Sequence, residues 1–366
     1  MMTQIENITI KNYNNTNMKH ISFPSIEQFR NVVGSVNRQY NFVGLDENGE
    51  AIYDSSLPKP VLTFKGTVKL HGTNAGVCFN DLDGMWYQSR ENIITPEKDN
   101  SGFAFFADAN KEQFASMFAK IAERSNIDTT KNTISIYGEW CGGNIQKGVA
   151  ICNLPKSFFI FGVKVTPHHI EGVEKQPSAY WVDYTDLKNN EAKIYNIDDF
   201  ETYSLDIDFN MPELVQNKLG ELTLAVEEEC PVGKAFGFSG IGEGIVWSCE
   251  LKGNVHRFKV KGELHAGKSK VKTLNKVDDE KVKKTLELVE KVTPTWRLAQ
   301  MLETACDFMN GGTLDRSKLG EFIKLVMADI IKEDMDLLVE AGLEPKDIGK
   351  YVSDIARRYF FDQELI

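Results

Sequence analysis

The chain has 366 residues, 42% of them hydrophobic and 26% charged, with a net charge of -11. That length suits two domains, and the charge excludes a uniformly basic protein while leaving room for a local basic groove. No apolar run reaches the length of a membrane span, and the opening MMTQIENITIKNYNNTNMK lacks the charged start and apolar core of a signal peptide. The six cysteines form no CxxC pair, which argues against structural zinc and for free thiols in a reducing, cytoplasmic compartment.

In chain order, short β-type runs come first. Residues 61–69, 133–137, 158–165, 243–247 and 257–260 read as strands. NDLDG at 80–84 reads as a turn between strands ending at Phe79 and restarting at Met85. One helix interrupts them at 111–124, with Phe114, Phe118 and Ile121 on one face. This mixture predicts an α+β fold with mixed antiparallel sheets. Near residue 262 the composition changes and strand signals stop. A helix is expected over 278–292, then one begun by Thr293 as cap and Pro294 in the first turn, stopping at Gly311-Gly312. A third is expected over 316–340, and Pro345 opens a fourth. The expected division is therefore an α+β domain over 1–265 and an all-helical domain over 266–366. From Lys252 to Lys291 there are 12 Lys plus Arg against 6 Asp plus Glu, a basic stretch in an acidic chain. It is either a phosphate-contact zone or a solvated linker and helix face.

The sharpest local feature is Lys69-Leu70-His71-Gly72-Thr73-Asn74, a lysine at a strand end beside a tight turn. A lysine so placed can project into a pocket and act as a covalent nucleophile. Alone it is a weak signal, because short motifs recur by chance. Other pieces follow in order: Ser89-Arg90, then Tyr137-Gly138-Glu139 with the Gly-rich CGGNIQKG, then Phe158-Phe159-Ile160-Phe161-Gly162, then Glu243-Gly244-Ile245-Val246. Lys259 and Lys261 stand two apart, so one strand face carries both amines. Such neighbours repel, and a strand seldom keeps them without an anion to bind.

As a set, these residues resemble the covalent nucleotidyltransferase superfamily of DNA ligases, RNA ligases and capping enzymes. Lys69 resembles the motif I nucleophile, Ser89-Arg90 motif Ia, Glu139 motif III, Phe161 motif IIIa, Glu243 motif IV, and Lys259 with Lys261 motif V. His71 stands where DNA ligases and capping enzymes usually have Asp. KLHGTN is similar to the RNA ligase 2 branch, which includes phage nick-sealing and kinetoplastid RNA-editing ligases. Those phage enzymes carry a helical carboxy-terminal domain, where DNA ligases and capping enzymes append an OB barrel. Phe23-Pro24-Ser25-Ile26-Glu27 resembles the segment that begins such ligases. Val68, Gly162 and Ser248 depart from the family pattern, at positions that bear on adenine-edge and phosphate contacts.

The resemblance implies a nucleotidyltransferase (ATP-grasp-like ligase) domain followed by a helical domain, and an ATP-dependent RNA ligase. Its steps would be a Lys69–AMP, an RNA-adenylate, and joining of a 3′-OH to a 5′-phosphate, with nicked duplex RNA as the implied partner. The implied cofactors are ATP and Mg²⁺, with Mn²⁺ as an alternative, and Glu243 is the implied metal-holding residue. Lys259 and Lys261 would neutralise the α-phosphate. Glu139 would accept from a ribose hydroxyl or be a strand-end acid. Phe161 would stack on adenine or pack in the core. His71 would touch phosphate or hold its turn. Arg90 would bind the 5′-phosphate or make a surface ion pair, and Asn74 would contact the nick or cap the turn. Leu70 lies within the same nucleotide-binding turn. Phe103, Phe105 and Phe106 are expected in packing. The rival readings are a DNA ligase, a capping-type guanylyltransferase, and a non-catalytic nucleic-acid-binding relative.

Overall fold

The computed structural model describes residues 18–54, 57–99, 101–265, 277–308 and 313–364. The centre of the basic stretch at 266–276 and the expected Gly311-Gly312 helix stop lie outside the described residues.

The elements run α1 (Phe29–Asn41), β1 (Phe42–Leu45), β2 (Ala51–Tyr53), β3 (Val61–Lys69), β4 (Thr73–Asn80), β5 (Gly84–Ser89) and β6 (Ile93–Ile94). Next come α2 (Phe103–Ala109), α3 (Lys111–Arg124), β7 (Asn132–Cys141), β8 (Ser157–Pro167), β9 (Tyr180–Val182), β10 (Ile194–Asn196) and β11 (Thr202–Asp208). Then follow α4 (Gln216–Glu228), α5 (Pro231–Ala235), β12 (Gly244–Leu251) and β13 (Asn254–Lys261). The described remainder carries no strand: α6 (Asp279–Val292), α7 (Thr295–Cys306), α8 (Leu319–Glu333), α9 (Met335–Glu340) and α10 (Pro345–Glu364).

Two compact units form. The first takes residues through Val32, Thr63–Asp206, and the chain from Lys218 through the last strand. The second joins Val33–Leu62 and Ile207–Asn217 to the helical tail. Two short segments thus leave the α+β part of the sequence for the helical unit. For the second segment Glu213 shows why: its carboxylate accepts from Lys350 Nζ at 2.9 Å and from the Tyr351 hydroxyl at 2.6 Å.

In the first unit a seven-stranded sheet has the order β10-β8-β7-β4-β5-β6, with β9 paired to β8. A four-stranded sheet has the order β11-β3-β12-β13. The large sheet packs on α3, which buries Phe114, Phe118 and Ile121, the face its periodicity predicts. The small sheet alternates strictly. Phe64, Val68, Ile245, Trp247 and Phe258 bury on one face, while Lys65, Thr67, Lys69, Val246, Ser248, Arg257, Lys259 and Lys261 share the other. Burying a large apolar side chain is worth about 1.5–3 kcal/mol, so this row holds the cationic face in place.

In the helical unit Val289, Leu302, Phe322, Val326, Val352 and Phe360 form the core. Arg297 is buried among these helices, donating to Asp329 Oδ2 at 2.8 Å and Asp334 Oδ2 at 2.6 Å. That pairing accounts for one difference from expectation. The helix expected over 316–340 breaks at Asp334, a residue outside helical geometry between α8 and α9. The Thr293-Pro294 pair is also shifted. Pro294 occupies the cap position of α7, and the Thr293 hydroxyl donates back to Val289 O at 2.6 Å, closing α6 instead. Asp278 caps α6 through Lys281 N.

Upstream, more than one helix interrupts the strands. α1 is written in Val, Asn and Gly, poor helix formers, and owes its form to burial of Phe29, Val32 and Val36. Phe103 and Phe106 pack as expected, but Phe105 is 69% exposed. Phe103, Ala104 and Ala107 fill the packed side of α2, which leaves Phe105 on the opposite side.

Candidate active site

β3 ends at Lys69, and the chain crosses through Leu70, His71 and Gly72 into β4 of the other sheet. Only glycine fits at 72, since a Cβ there would collide with the Trp140 carbonyl and stand 2.6 Å from the Cys141 side chain. This close approach lets the Gly72 N–H donate to Glu139 Oε1 at 2.9 Å. The turn that carries the lysine is therefore held by the acid on β7.

Glu243 stands immediately before β12 and is 2% exposed, so its charge needs partners. It has three. Lys69 Nζ lies 2.7 Å from Oε2, His71 Nδ1 lies 3.2 Å from the same oxygen, and Lys261 Nζ lies 2.7 Å from Oε1. Burial alone would push this carboxyl up, but Lys69 and Lys261 outweigh it and leave it below the ordinary carboxylate value. Burial also lowers the His71 pKa despite the pull of Glu243.

Lys259 differs from its neighbours. Its ammonium donates to the Ile26 carbonyl at 2.9 Å, a neutral acceptor. Burial, then repulsion from Lys261, Lys69 and Arg90, lowers its pKa. An anion arriving here would relieve both effects. The segment holding Ile26 runs beside β13, with Glu27 N donating to Arg257 O and Lys259 N donating to Glu27 O, each at 3.1 Å. The same segment offers Ser25 Oγ to Arg90 Nη2 at 3.2 Å.

A cavity of about 310 Å³ opens between the two sheets, large enough for a small ligand. Lys69, Leu70, Asn74, Arg90, Glu139 and Lys259 line it, and Phe161 joins them. Phe161 shares its strand face with Phe159, two residues before it, which also lines the cavity. Tyr137 pairs with Gly162 and Gly138 with Ile160, so Phe161 is the extra residue of a bulge on β8. The bulge shifts the residues beyond it, so that Val163 and Val165 return to the core face of Phe158 and Ile160. Glu139 loses water in this setting, and its pKa is pushed up to about 7 in spite of Lys69 and the Gly72 N–H.

All the residues singled out from sequence thus gather in one place: those lining the cavity, and Glu243, His71 and Lys261 bound to one another at its Lys69 end. The sequence reading missed Lys65, Tyr184 and Arg257, which also line the cavity. Arg257 was within reach, because it precedes Lys259 by the same two-residue step that separates Lys259 from Lys261. So was Lys65, two such steps before Lys69 on the same strand, while Tyr184 left no such signal.

A divalent cation has a restricted place here. Among the described residues no group of three or more His, Cys, Asp or Glu side chains could hold one. Glu243 is a suitable oxygen donor, but both its oxygens already accept from cations. An ion at Glu243 would take its other ligands from phosphate oxygens and water, the usual habit of Mg²⁺.

The RNA ligase family model matches residues 63–261, more than half of the chain, and the chain belongs to that family. No curated protein matches it. Among solved structures it is similar to an RNA ligase of Naegleria gruberi with pyrophosphate, at 16% identity and a TM-score of 0.38, over 67% of this chain and 57% of that one. A variant of the same enzyme with ATP and manganese gives 16% identity and a TM-score of 0.39, with the same coverage. The chain thus spans somewhat over half the length of these relatives.

Proposed function

We propose that this chain is an ATP-dependent RNA ligase that joins a 3′-OH to a 5′-phosphate, with nicked duplex RNA as its substrate. The observation that carries the reading is the placement of Lys69. Its amine lies at a nucleotide-sized cavity, in contact with a buried carboxylate and beside the lysine least satisfied by protein anions.

The chemistry follows from those positions. Lys69 Nζ, once it gives up a proton, attacks the α-phosphorus of ATP; the N–P bond forms, the bond to the β-phosphate oxygen breaks, and pyrophosphate leaves. Lys259 and Lys261 set positive charge where negative charge accumulates on the α-phosphate. A bound divalent cation supplies further charge neutralisation on phosphate oxygens. Glu139, fixed through Gly72, has its second oxygen available to a ribose hydroxyl, and Phe161 offers a face to the base. AMP then passes from Lys69 to an RNA 5′-phosphate. The 3′-OH attacks that phosphate, a phosphodiester forms, and AMP leaves. His71, on the turn beside Lys69, would touch the phosphate during the second transfer. The 1–265 and 266–366 division is proposed to part nucleotide chemistry from RNA contact.

The test is mass measurement after incubation with ATP and Mg²⁺ or Mn²⁺. One added AMP, abolished in Lys69→Ala, supports the reading. An adduct formed with GTP instead would make the chain a capping-type enzyme, and no adduct with any nucleotide would make it a binding protein.

A further inference from the structure

The floor of the cavity is ruled into rows by strand register. Lys69, Gly244 and Lys261 lie opposite one another on β3, β12 and β13. Thr67, Val246 and Lys259 form the next row, and Lys65, Ser248 and Arg257 the third. Each row is two residues on, about 7 Å along the strands. The first two rows hold the reactive amine and the phosphate-facing lysines. The third lies roughly 14 Å from the first, beyond the phosphate end and at the reach of a base.

The two cations of the third row are used differently. Lys65 Nζ is paired with Asp198 Oδ2 at 2.8 Å. Arg257 has no carboxylate or other hydrogen-bond acceptor on its side chain among the described residues. Its guanidinium lies over the Trp181 ring at 4.0 Å and near Phe23 at 5.3 Å. Stacking fixes the plane of the fork but satisfies none of its N–H groups. Burial lowers its pKa to about 10, and Tyr184 offsets this only in part. A donor-only group, held flat and unmatched in a ligand cavity, is built to meet an acceptor that arrives with the ligand.

We infer that Arg257 is a nucleobase-binding residue, donating from its Trp181-stacked guanidinium to a ring-nitrogen acceptor of adenine. The inference rests on the reading of Lys69 as the nucleophile, which sets the phosphate end. Adenine suits the position because its ring nitrogens N1, N3 and N7 all accept. A base with N–H at the contacted position would set donor against donor.

The experiment uses the full chain, with Arg257→Met, which keeps the apolar stem, and Arg257→Lys, which keeps the charge but loses the fork. Lysyl-AMP formation is followed against concentration for ATP and its 1-deaza, 3-deaza and 7-deaza analogues, and ATP binding is measured separately by calorimetry. Arg257→Met should raise the KM for ATP by about tenfold and leave kcat within about twofold. One analogue should show the same loss with wild type and no further loss with Arg257→Met, as expected for two partners of one bond. Arg257→Lys should recover little. Trp181→Phe, which keeps the arginine and weakens its platform, should give an intermediate KM and serves if Arg257→Met fails to fold. An unchanged KM for ATP, or equal losses with every analogue in both proteins, overturns the inference. So does a variant whose defect falls only on the 5′-phosphate RNA. If wild type forms no adduct, the Lys69 reading fails while calorimetry still reports on Arg257.

Discussion

Lys69 and Glu243, 174 residues apart in sequence, share a hydrogen bond of 2.7 Å, and the same carboxylate reaches Lys261 at 2.7 Å. The lysine proposed to attack ATP is thus held by an acid that also holds one of the lysines proposed to neutralise the phosphate. Lys69→Ala should abolish the lysyl-AMP adduct. The same variant should still seal RNA that carries a 5′-adenylate, because AMP is then already in place. Mass measurement and a sealing assay on pre-adenylated ends check both halves, and an adduct at wild-type rate would remove Lys69 from its role.

Glu243→Gln keeps the shape of the side chain and loses its charge. Lys69 and Lys261 then face each other with no anion between them. Stability should fall by about 1–3 kcal/mol, and adenylylation should fall by orders of magnitude. Denaturant melts and adduct formation across a Mg²⁺ titration report these separately. An unchanged Mg²⁺ dependence would show that Glu243 holds no metal.

Glu139 gives a pH signature. Its carboxyl titrates at about 7 in the folded protein, against about 4.3 in an unfolded chain. Between those values the folded state keeps a proton the unfolded chain has released, so stability falls as pH rises through that window and flattens above it. The fall should be about 2 kcal/mol after allowance for partial exposure. Glu139→Gln should remove the slope, which urea melts at pH 5, 6, 7 and 8 would reveal. A slope that survives the substitution must come from another group.

The helical unit is proposed to bear on RNA rather than on nucleotide. On α6, Lys283, Lys284 and Lys291 are exposed, while Lys281 is engaged with Asp347 at 2.9 Å. Replacing the three exposed lysines with alanine in the full chain should leave adenylylation within about twofold. Nick sealing should weaken, and its salt dependence should become shallower for every phosphate that no longer meets a lysine. Sealing at full rate with an unchanged salt slope would take α6 out of the RNA interface.

Much of this site could be read from the chain because its parts are local. β3 and α3 occupy the residues their patterns predict, and Lys259 with Lys261 share a face because strand period is two. What stayed hidden depends on distant contacts. The bulge at Phe161 exists only relative to β7, and the break at Asp334 answers to Arg297 on another helix. α1 is helical against its own propensity, and segments 33–62 and 207–217 join the helical unit through partners far along the chain.

Gly162 adjoins the Arg257 platform. A Cβ at 162 would stand 3.3 Å from the Trp181 ring and 3.6 Å from Phe23. An acidic side chain there would press on the indole, the surface on which the guanidinium lies. It would also bring a carboxylate toward a cation that now has none. Trp181 therefore couples positions 162 and 257. An acid at 162 would exchange a stacked donor for an internal ion pair, and the guanidinium would then be engaged within the protein and not with a ligand.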